Sequence, residues 1–416
     1  MPSASAALSQ VLAQIHDDDI VALTRRLVQI PSVFRPGDPG ANESAVARAV
    51  AEWFSEEGFT VETQEVAPGR PNVIGWIDGT PTGRTLCLEG HTDVVTEGDP
   101  AEWRHDPWGA TVENGRIYGR GTADMKGGLA AAMVAAAALR WSRVSFSGRL
   151  LVAALVDEEG GMTGARHFMR TPLGHTVDAA IICEPEQNEL CLEQKGVFWA
   201  RVLIQGRMAH GAMPYAGVNP IAAAGTFLAG LPSVERRIRQ GVPRSPTLGT
   251  AHVTPTVCRA PANGVPQNNV IPASAELRVD VRLVPGITAK TALAALRALA
   301  RETEARWRGV RITVDPVEPP RPAVRVKRSE PLVQALEWAV STVTGRPPRF
   351  GGVPGSTDGT IFVTERKIPI VTFGPGKREI PHQVDEYVEV AELVEAGRCY
   401  AAAAVRFLGA VDSARK

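Results

Sequence analysis

The chain carries no excess charge of either sign: 45 Lys plus Arg stand against 45 Asp plus Glu in 416 residues. Without a net field, neither nucleic acid nor an anionic membrane surface is an expected partner. Long apolar runs are missing too. The longest, "LAAAMVAAAAL" from Leu129 to Leu139, falls well short of the roughly 20 residues a membrane span needs. The opening "MPSASAALSQVLAQIHDDD" has neither the basic start nor the apolar stretch of a signal peptide. Cysteine is sparse and odd in number: Cys87, Cys183, Cys191, Cys258 and Cys399 are scattered without metal-ligand spacing. A reducing, cytoplasmic setting is the expectation. No internal repeat appears, and no low-complexity tract beyond the alanines.

What is present is enough chain for two domains, since one usually takes about 100 to 200 residues. A hydrophobic content of 44% and a charged content of 22% suit a soluble, enzyme-sized protein. Two rhythms run along it. Residues 18–29 and 43–57 read as amphipathic helices, "RTLCLEGHTDVV" as a buried strand, Gly127–Arg140 as a helix, and "GRLLVAALV" and "DAAIICEP" as further strands. Such alternation marks a mostly parallel sheet sandwiched by helices, an α/β fold.

From about Lys195 the order becomes strand "GVFWARVLIQG", helix Asn219–Leu231, strands "GTAHVTPTVC" and "ASAELRVDVRLV", helix Thr288–Glu304 and strand "VRITVDP". This β-α-β-β-α-β sequence is the ferredoxin-like α+β unit. After the proline-rich "VEPPRPAV" the first rhythm resumes with helix Pro331–Thr344, strand "KIPIVTFG" and helix Val390–Leu408. The expected organisation is a catalytic domain in two parts, 1–194 and 317–416, with a domain inserted over 195–316.

The chemistry gathers at strand ends. "LCLEGHTDVV" carries His91 and Asp93 just past its apolar run, "LLVAALVDEEGG" ends in Glu158 and Glu159, and "AAIIC" runs into Glu184. "PIVTFG" is followed after a loop by His382, and "YGRGTADMKGG" puts Asp124 ahead of a helix. In open α/β sheets the binding crevice lies outside the carboxyl ends of the strands, so these groups are candidates for one crevice. Seven such side chains, mostly carboxylates, would repel one another unless cations neutralised them. Two His and several carboxylates suit a pair of divalent metals, zinc above all, with manganese and cobalt as alternatives. Of the adjacent glutamates, one can bind metal while the other stays off it as general base. Taken singly, each element has a plainer reading. An H-x-D triplet is commonly a turn, "DEE" a solvated loop start, and Asp124 a charge favoured at a helix N-terminus.

Together, "EGHTDVV", "GRGTADMKGG", "VDEEGG", "CEP", "GRMAHGAMP", "NNVIP" and "PHQVDEYV" resemble the di-zinc amidohydrolase and exopeptidase family. That family contains acetylornithine deacetylase, succinyl-diaminopimelate desuccinylase, the aminoacylases and glutamate carboxypeptidases. The likeness runs in the family's order from about Thr85 to Val390. It implies a zinc-exopeptidase-like catalytic domain with an inserted lid and dimerisation domain. His91 and Glu184 would each bind one metal with their partners, Asp124 would bridge the two, and Glu159 and His382 would complete the pair. Asp93 would orient His91, and Glu158 would be the base.

The resemblance further implies a homodimer in which His210 steadies the oxyanion from the partner subunit. Asn269 and Arg282 would bind the polar end and the carboxylate of a small-molecule substrate. Gly355, Ser356 and Thr357 would line the pocket, although the same loop also reads as a simple helix entry. The expected reaction is hydrolysis of the amide of an N-acyl amino acid or small peptide with a free carboxylate. Two alternatives stay open: deamination of an aromatic amine or hydrolysis of a ureido acid on the same scaffold, and a non-catalytic metal-binding homologue. Met208, Met213 and Tyr215, which flank His210, could line a pocket for the aromatic case.

Overall fold

Thr80–His91, Ser147–Leu155, Ala179–Ile182 and Ile370–Thr372 lie side by side as the parallel centre of the larger sheet. Successive side chains on a strand point to opposite faces. Leu86, Leu88, Leu150, Val152 and Ile181 therefore join one apolar core, while Cys87, Leu151, Ala153, Ala180 and Ile182 join a second on the other side. Runs without polar alternation are what a sheet covered on both faces requires. The computed structural model describes residues 4–411.

The sheet's margins are antiparallel, which the sequence did not signal. Thr60–Ala67 and Arg70–Asp78 form a hairpin that joins Ser147–Leu155, and Leu190–Gln194 pairs antiparallel with Ile370–Thr372. "TVETQEVA" is too polar to read as a strand; its place comes from its partner.

The alanine-rich helix Lys126–Trp141 is buried from Lys126 through Leu139, so it is wrapped on all sides. Its small side chains allow close approach. A Cβ on Gly128 would lie 2.1 Å from the carbonyl oxygen of Cys183, and one on Gly397 of helix Val390–Phe407 would meet Ile20 at 2.8 Å. Gly128 thus brings the helix that follows Asp124 against the strand end that leads to Glu184. The helices Asp17–Val28, Ser44–Glu56 and Pro331–Thr344 pack on the same core, and the short helices Thr163–Phe168 and Gly359–Arg366 cover the opposite face.

The chain divides into two units. The first holds everything up to Leu192, then Val326–Gly351, and everything from Thr357; the second holds Glu193–Arg325 and 352–356. The second unit runs past residue 316 because Val324–Arg325 pairs with Glu193–Gln194 and Arg321 bridges to Val197. The proline-rich segment is thereby held to this unit. Its strands, in sheet order His252–Arg259, Ser274–Leu283, Gly196–Gln205 and Arg311–Pro316, are all antiparallel. Helices Pro220–Arg239 and Ala289–Arg306 cover one face, and the chain order is the expected ferredoxin-like one. The first helix passes through Pro232 rather than stopping at Leu231, because Val234 and Ile238 are buried against the sheet and carry it on. Among the described residues, no helix is long and apolar enough to cross a membrane.

Candidate metal centre

The parallel strands deliver their acidic and imidazole groups to one edge of the first unit. His91, at the end of Thr80–His91, is fully buried, with Nε2 at 3.0 Å from Asp124 Oδ1 and 3.8 Å from Glu184 Oε1. His382 lies on the other side of the same aspartate, its Nε2 at 3.4 Å from Oδ2 of Asp124 and 3.0 Å from Glu159 Oε1. The two oxygens of Asp124 therefore face two different ligand sets. Ligand atoms of His91, Asp124 and Glu159 all lie within 4.8 Å of one another, as do those of His91, Glu158 and Glu184.

The electrostatics fit a site built for cations. Burial, together with neighbouring carboxylates, pushes Glu158, Glu159 and Glu184 above the usual carboxylate range. Burial opposes charge on His91, but Asp124, Glu184 and Asp93 outweigh it and raise its pKa well above the ordinary value. His382, hydrogen-bonded to Asp124 and Glu159, is raised to about 10. Burial works against charge on Asp124, yet the two imidazoles hold it below its ordinary range. Divalent cations bound here would relieve the repulsion among these carboxylates. The cluster's mixture of imidazole and carboxylate donors suits zinc-like ions.

Asp93 touches both His91 and the Glu158–Glu159 loop. The His91 ring is steered by the backbone carbonyl of Asp93, 2.9 Å from Nδ1, while the Asp93 carboxylate stands 3.7 Å away. That carboxylate instead accepts the amides of Glu158 at 3.2 Å and Glu159 at 3.0 Å. Asp157 braces the same loop from the other side. With φ at +69°, it takes Thr163 Oγ1 at 2.7 Å and Arg70 Nη1 at 2.9 Å, and Arg70 also binds the buried Glu43.

The remaining expected residues fall elsewhere. His210 and Asn269 meet in the second unit, where Ala209–His210 pairs with Val270–Ile271 and Gly211 donates to the Asn269 carbonyl at 2.7 Å. The His210 Nδ1 accepts the Ala212 amide at 3.0 Å, so in the neutral ring the proton is on Nε2, ready to donate. Arg282 donates Nε and Nη2 to Asp280 at 2.8 and 3.1 Å. Gly355 and Ser356 are half-buried, while Thr357 is buried with Oγ1 accepting the Gly359 amide at 3.2 Å. That contact supports the helix-entry reading of Thr357.

Several supporting residues sat unassigned inside the motifs. Lys126 of "DMKGG" is fully buried and donates to the carbonyls of Leu27 at 3.0 Å and Ile30 at 2.7 Å; burial lowers its pKa to about 7. Glu89 of "EGH" is buried facing Asp358, and burial and that neighbour raise its pKa well above normal. Arg120 and Glu386, in "GRGTAD" and "DEYV", form a buried ion pair. Their motif membership was a signal. Their partners became visible only in the fold.

A model of peptidase family M20/M25/M40 matches residues 87–406. Acetylornithine deacetylase of Vibrio atlanticus is 33% identical over 354 residues, covering 83% of this chain and 87% of that one. The Erwinia tasmaniensis enzyme of the same name is 30% identical over 376 residues, covering 90% and 94%. Among solved structures, aminopeptidase PepT from Bacillus cereus superposes with a TM-score of 0.75 at 19% identity, covering 95% of this chain and 99% of its own. The Bacillus subtilis YXEP protein, described as a dinuclear metal-binding peptidase, does so at 0.70 and 19%, covering 95% and 99%. On these matches the chain belongs to peptidase family M20/M25/M40 and is a metal-dependent hydrolase acting on C–N bonds.

Proposed function

We propose that the protein hydrolyses the amide bond of an N-acyl amino acid or small peptide carrying a free carboxylate. The observation that carries this is the split of Asp124 between His91 on one oxygen and His382 on the other, with the half-buried Glu158 beside the first set. His91 and Glu184 would hold one divalent cation, Glu159 and His382 the second, and Asp124 both. Zinc is the first choice, with manganese or cobalt as alternatives. Bound there, such ions polarise a carbonyl and acidify water. Glu158 takes the proton from the attacking water and hands it to the leaving amine. Desolvation raises its pKa, which supports this work by favouring proton uptake.

The Nε2–H of His210 is the donor proposed to steady the oxyanion, delivered from a partner subunit through the second unit. Met208, Met213 and Tyr215 are exposed around it, as expected of a surface that another chain or a substrate covers. Sedimentation velocity at micromolar concentration tests the dimer.

Two observations favour a second reading on the same scaffold, hydrolysis of an aromatic amine or ureido acid. Arg282 is engaged by Asp280, and His210 is flanked by two methionines and a tyrosine. The deciding experiment is mass-spectrometric product detection on pooled N-acyl amino acids, dipeptides, ureido acids and aminoaromatic acids, with zinc- or manganese-loaded protein and a chelator control. Chelator-sensitive cleavage of an N-acyl amino acid or dipeptide supports the first reading. Turnover of only an aminoaromatic or ureido compound replaces it with the second.

A further inference from the structure

The loop that presents His382 has an unusual anchorage. His382 has φ +68° and Asp385 φ +57°, left-handed conformations that non-glycine residues hold only when their surroundings fix them. The His382 side chain is about half exposed and its polar contacts are with Asp124 and Glu159. Its position must therefore be set by the backbone on either side.

On the carboxyl-terminal side that anchor is Glu386. Its side chain is fully buried, and Oε1 accepts three backbone amides, from Gly121 at 3.0 Å, Ala123 at 2.9 Å and Asp124 at 3.1 Å. Oε2 accepts Arg120 Nη1 at 2.5 Å, and the Glu386 carbonyl accepts the Gly119 amide at 2.9 Å. One residue thus binds the whole turn that ends in Asp124 while sitting in the loop that carries His382. A buried carboxylate is tolerated only when fully partnered, and this one is.

We propose that Glu386 is a positioning residue that fixes the distance between Asp124 and His382, and so sets the affinity of the second metal position. The inference rests on the two-metal reading above. His91 and Glu184 do not depend on Glu386, because they follow neighbouring parallel strands whose register the sheet ladder holds. Removing the Glu386 carboxylate leaves three amides and a guanidinium without their acceptor. The Asp124 turn and the His382 loop then come apart, while the His91 side keeps two of its ligands in place. A purely structural staple would instead lower overall stability without separating the two positions.

The test titrates metal-free full-length protein with cobalt(II), following heat and visible absorption, and uses His382→Ala to mark the signal of the second position. Wild type should take up two ions. Glu386→Ala should weaken the position marked by His382→Ala by about tenfold or more, the range seen when outer partners of ligands are removed, and leave the other nearly unchanged. Glu386→Gln keeps one acceptor oxygen but turns an amide NH2 toward Arg120, so its loss should be intermediate. Should the alanine variant fail to fold, the glutamine variant decides by the same criterion. If both positions weaken equally, or neither does, the inference is overturned while the two-metal reading stands. A wild-type protein that takes up a single ion overturns both.

Discussion

Asp93 Oδ1 accepts the backbone amide of Glu158 at 3.2 Å, and its second oxygen takes the following amide, of Glu159, at 3.0 Å. The residue thereby fastens the Glu158–Glu159 loop to the strand end that carries His91, while its carbonyl lies 2.9 Å from Nδ1 of the ring. Asp93→Asn should lower kcat/KM by about 10- to 100-fold, because one amide loses its acceptor and the Glu158 loop shifts. Metal content should stay near wild type, since the carbonyl that orients His91 survives the change. Loss of metal instead would return the carboxylate to the ring-steering role expected from sequence.

His91, Asp93, Glu158, Glu159 and Glu184 were legible as one candidate cluster because they follow apolar runs whose ends converge in a parallel sheet, whereas Asp124, ahead of a helix, and His382, beyond a loop, joined them through the resemblance. Glu158 and Glu159 could be assigned different work only through resemblance, since "DEE" does not say which side chain turns inward. Glu386 was not legible. It reads as one more charge in "HQVDEYV", and its three amide donors come from residues more than 260 positions earlier in the chain. The Thr60–Asp78 hairpin was hidden for a related reason: its strand character is supplied by pairing with Ser147–Leu155 and not by its own pattern.

Glu158→Gln preserves shape and removes the proposed proton acceptor. Turnover should fall by about 10²- to 10⁴-fold, the usual contribution of a positioned general base. Cobalt uptake should remain at the wild-type stoichiometry. A variant that keeps more than a tenth of wild-type kcat would move the base to another residue.

At the other end of the His382 loop, Arg378 donates Nε to Glu186 and Nη2 to Glu189 at 2.8 Å. Glu186 is buried, and burial raises its pKa to about 7 even though the guanidinium opposes the rise. Arg378→Met would leave Glu186 without its cation, while Glu189 keeps Arg349 at 3.6 Å. Breaking a buried pair costs about 3 to 5 kcal/mol, and the partial exposure of Arg378 puts the expected loss near the lower end. Urea unfolding at pH 8, where Glu186 is ionised, is the measurement. A loss below about 0.5 kcal/mol, typical of a neutral surface change, would mark the contact as dispensable.

In the second unit, Arg201 and Arg278 stand directly opposite each other on adjacent strands, a like-charge pairing that should destabilise the sheet. Glu276 resolves it. Buried between them, its carboxylate accepts Arg201 Nε and Arg278 Nε at 2.8 Å each and Arg259 Nη2 at 3.1 Å. Burial favours protonation, but the three guanidiniums outweigh it and bring the pKa down to about 2. A depressed carboxyl contributes stability that is fully present above its unfolded pKa of about 4.3 and is lost as the pH falls through its folded value. Glu276→Gln should therefore destabilise the strand Ser274–Leu283 at pH 7, by about 1 to 2 kcal/mol once the water around the partly exposed guanidiniums is allowed for. The difference from wild type should narrow between pH 4 and pH 2. Hydrogen exchange of the amides in that strand, corrected for intrinsic rates, reads this directly. A gap that stays constant from pH 7 to pH 2 would mean that the lost charge is not what Glu276 contributes, leaving shape alone as its role.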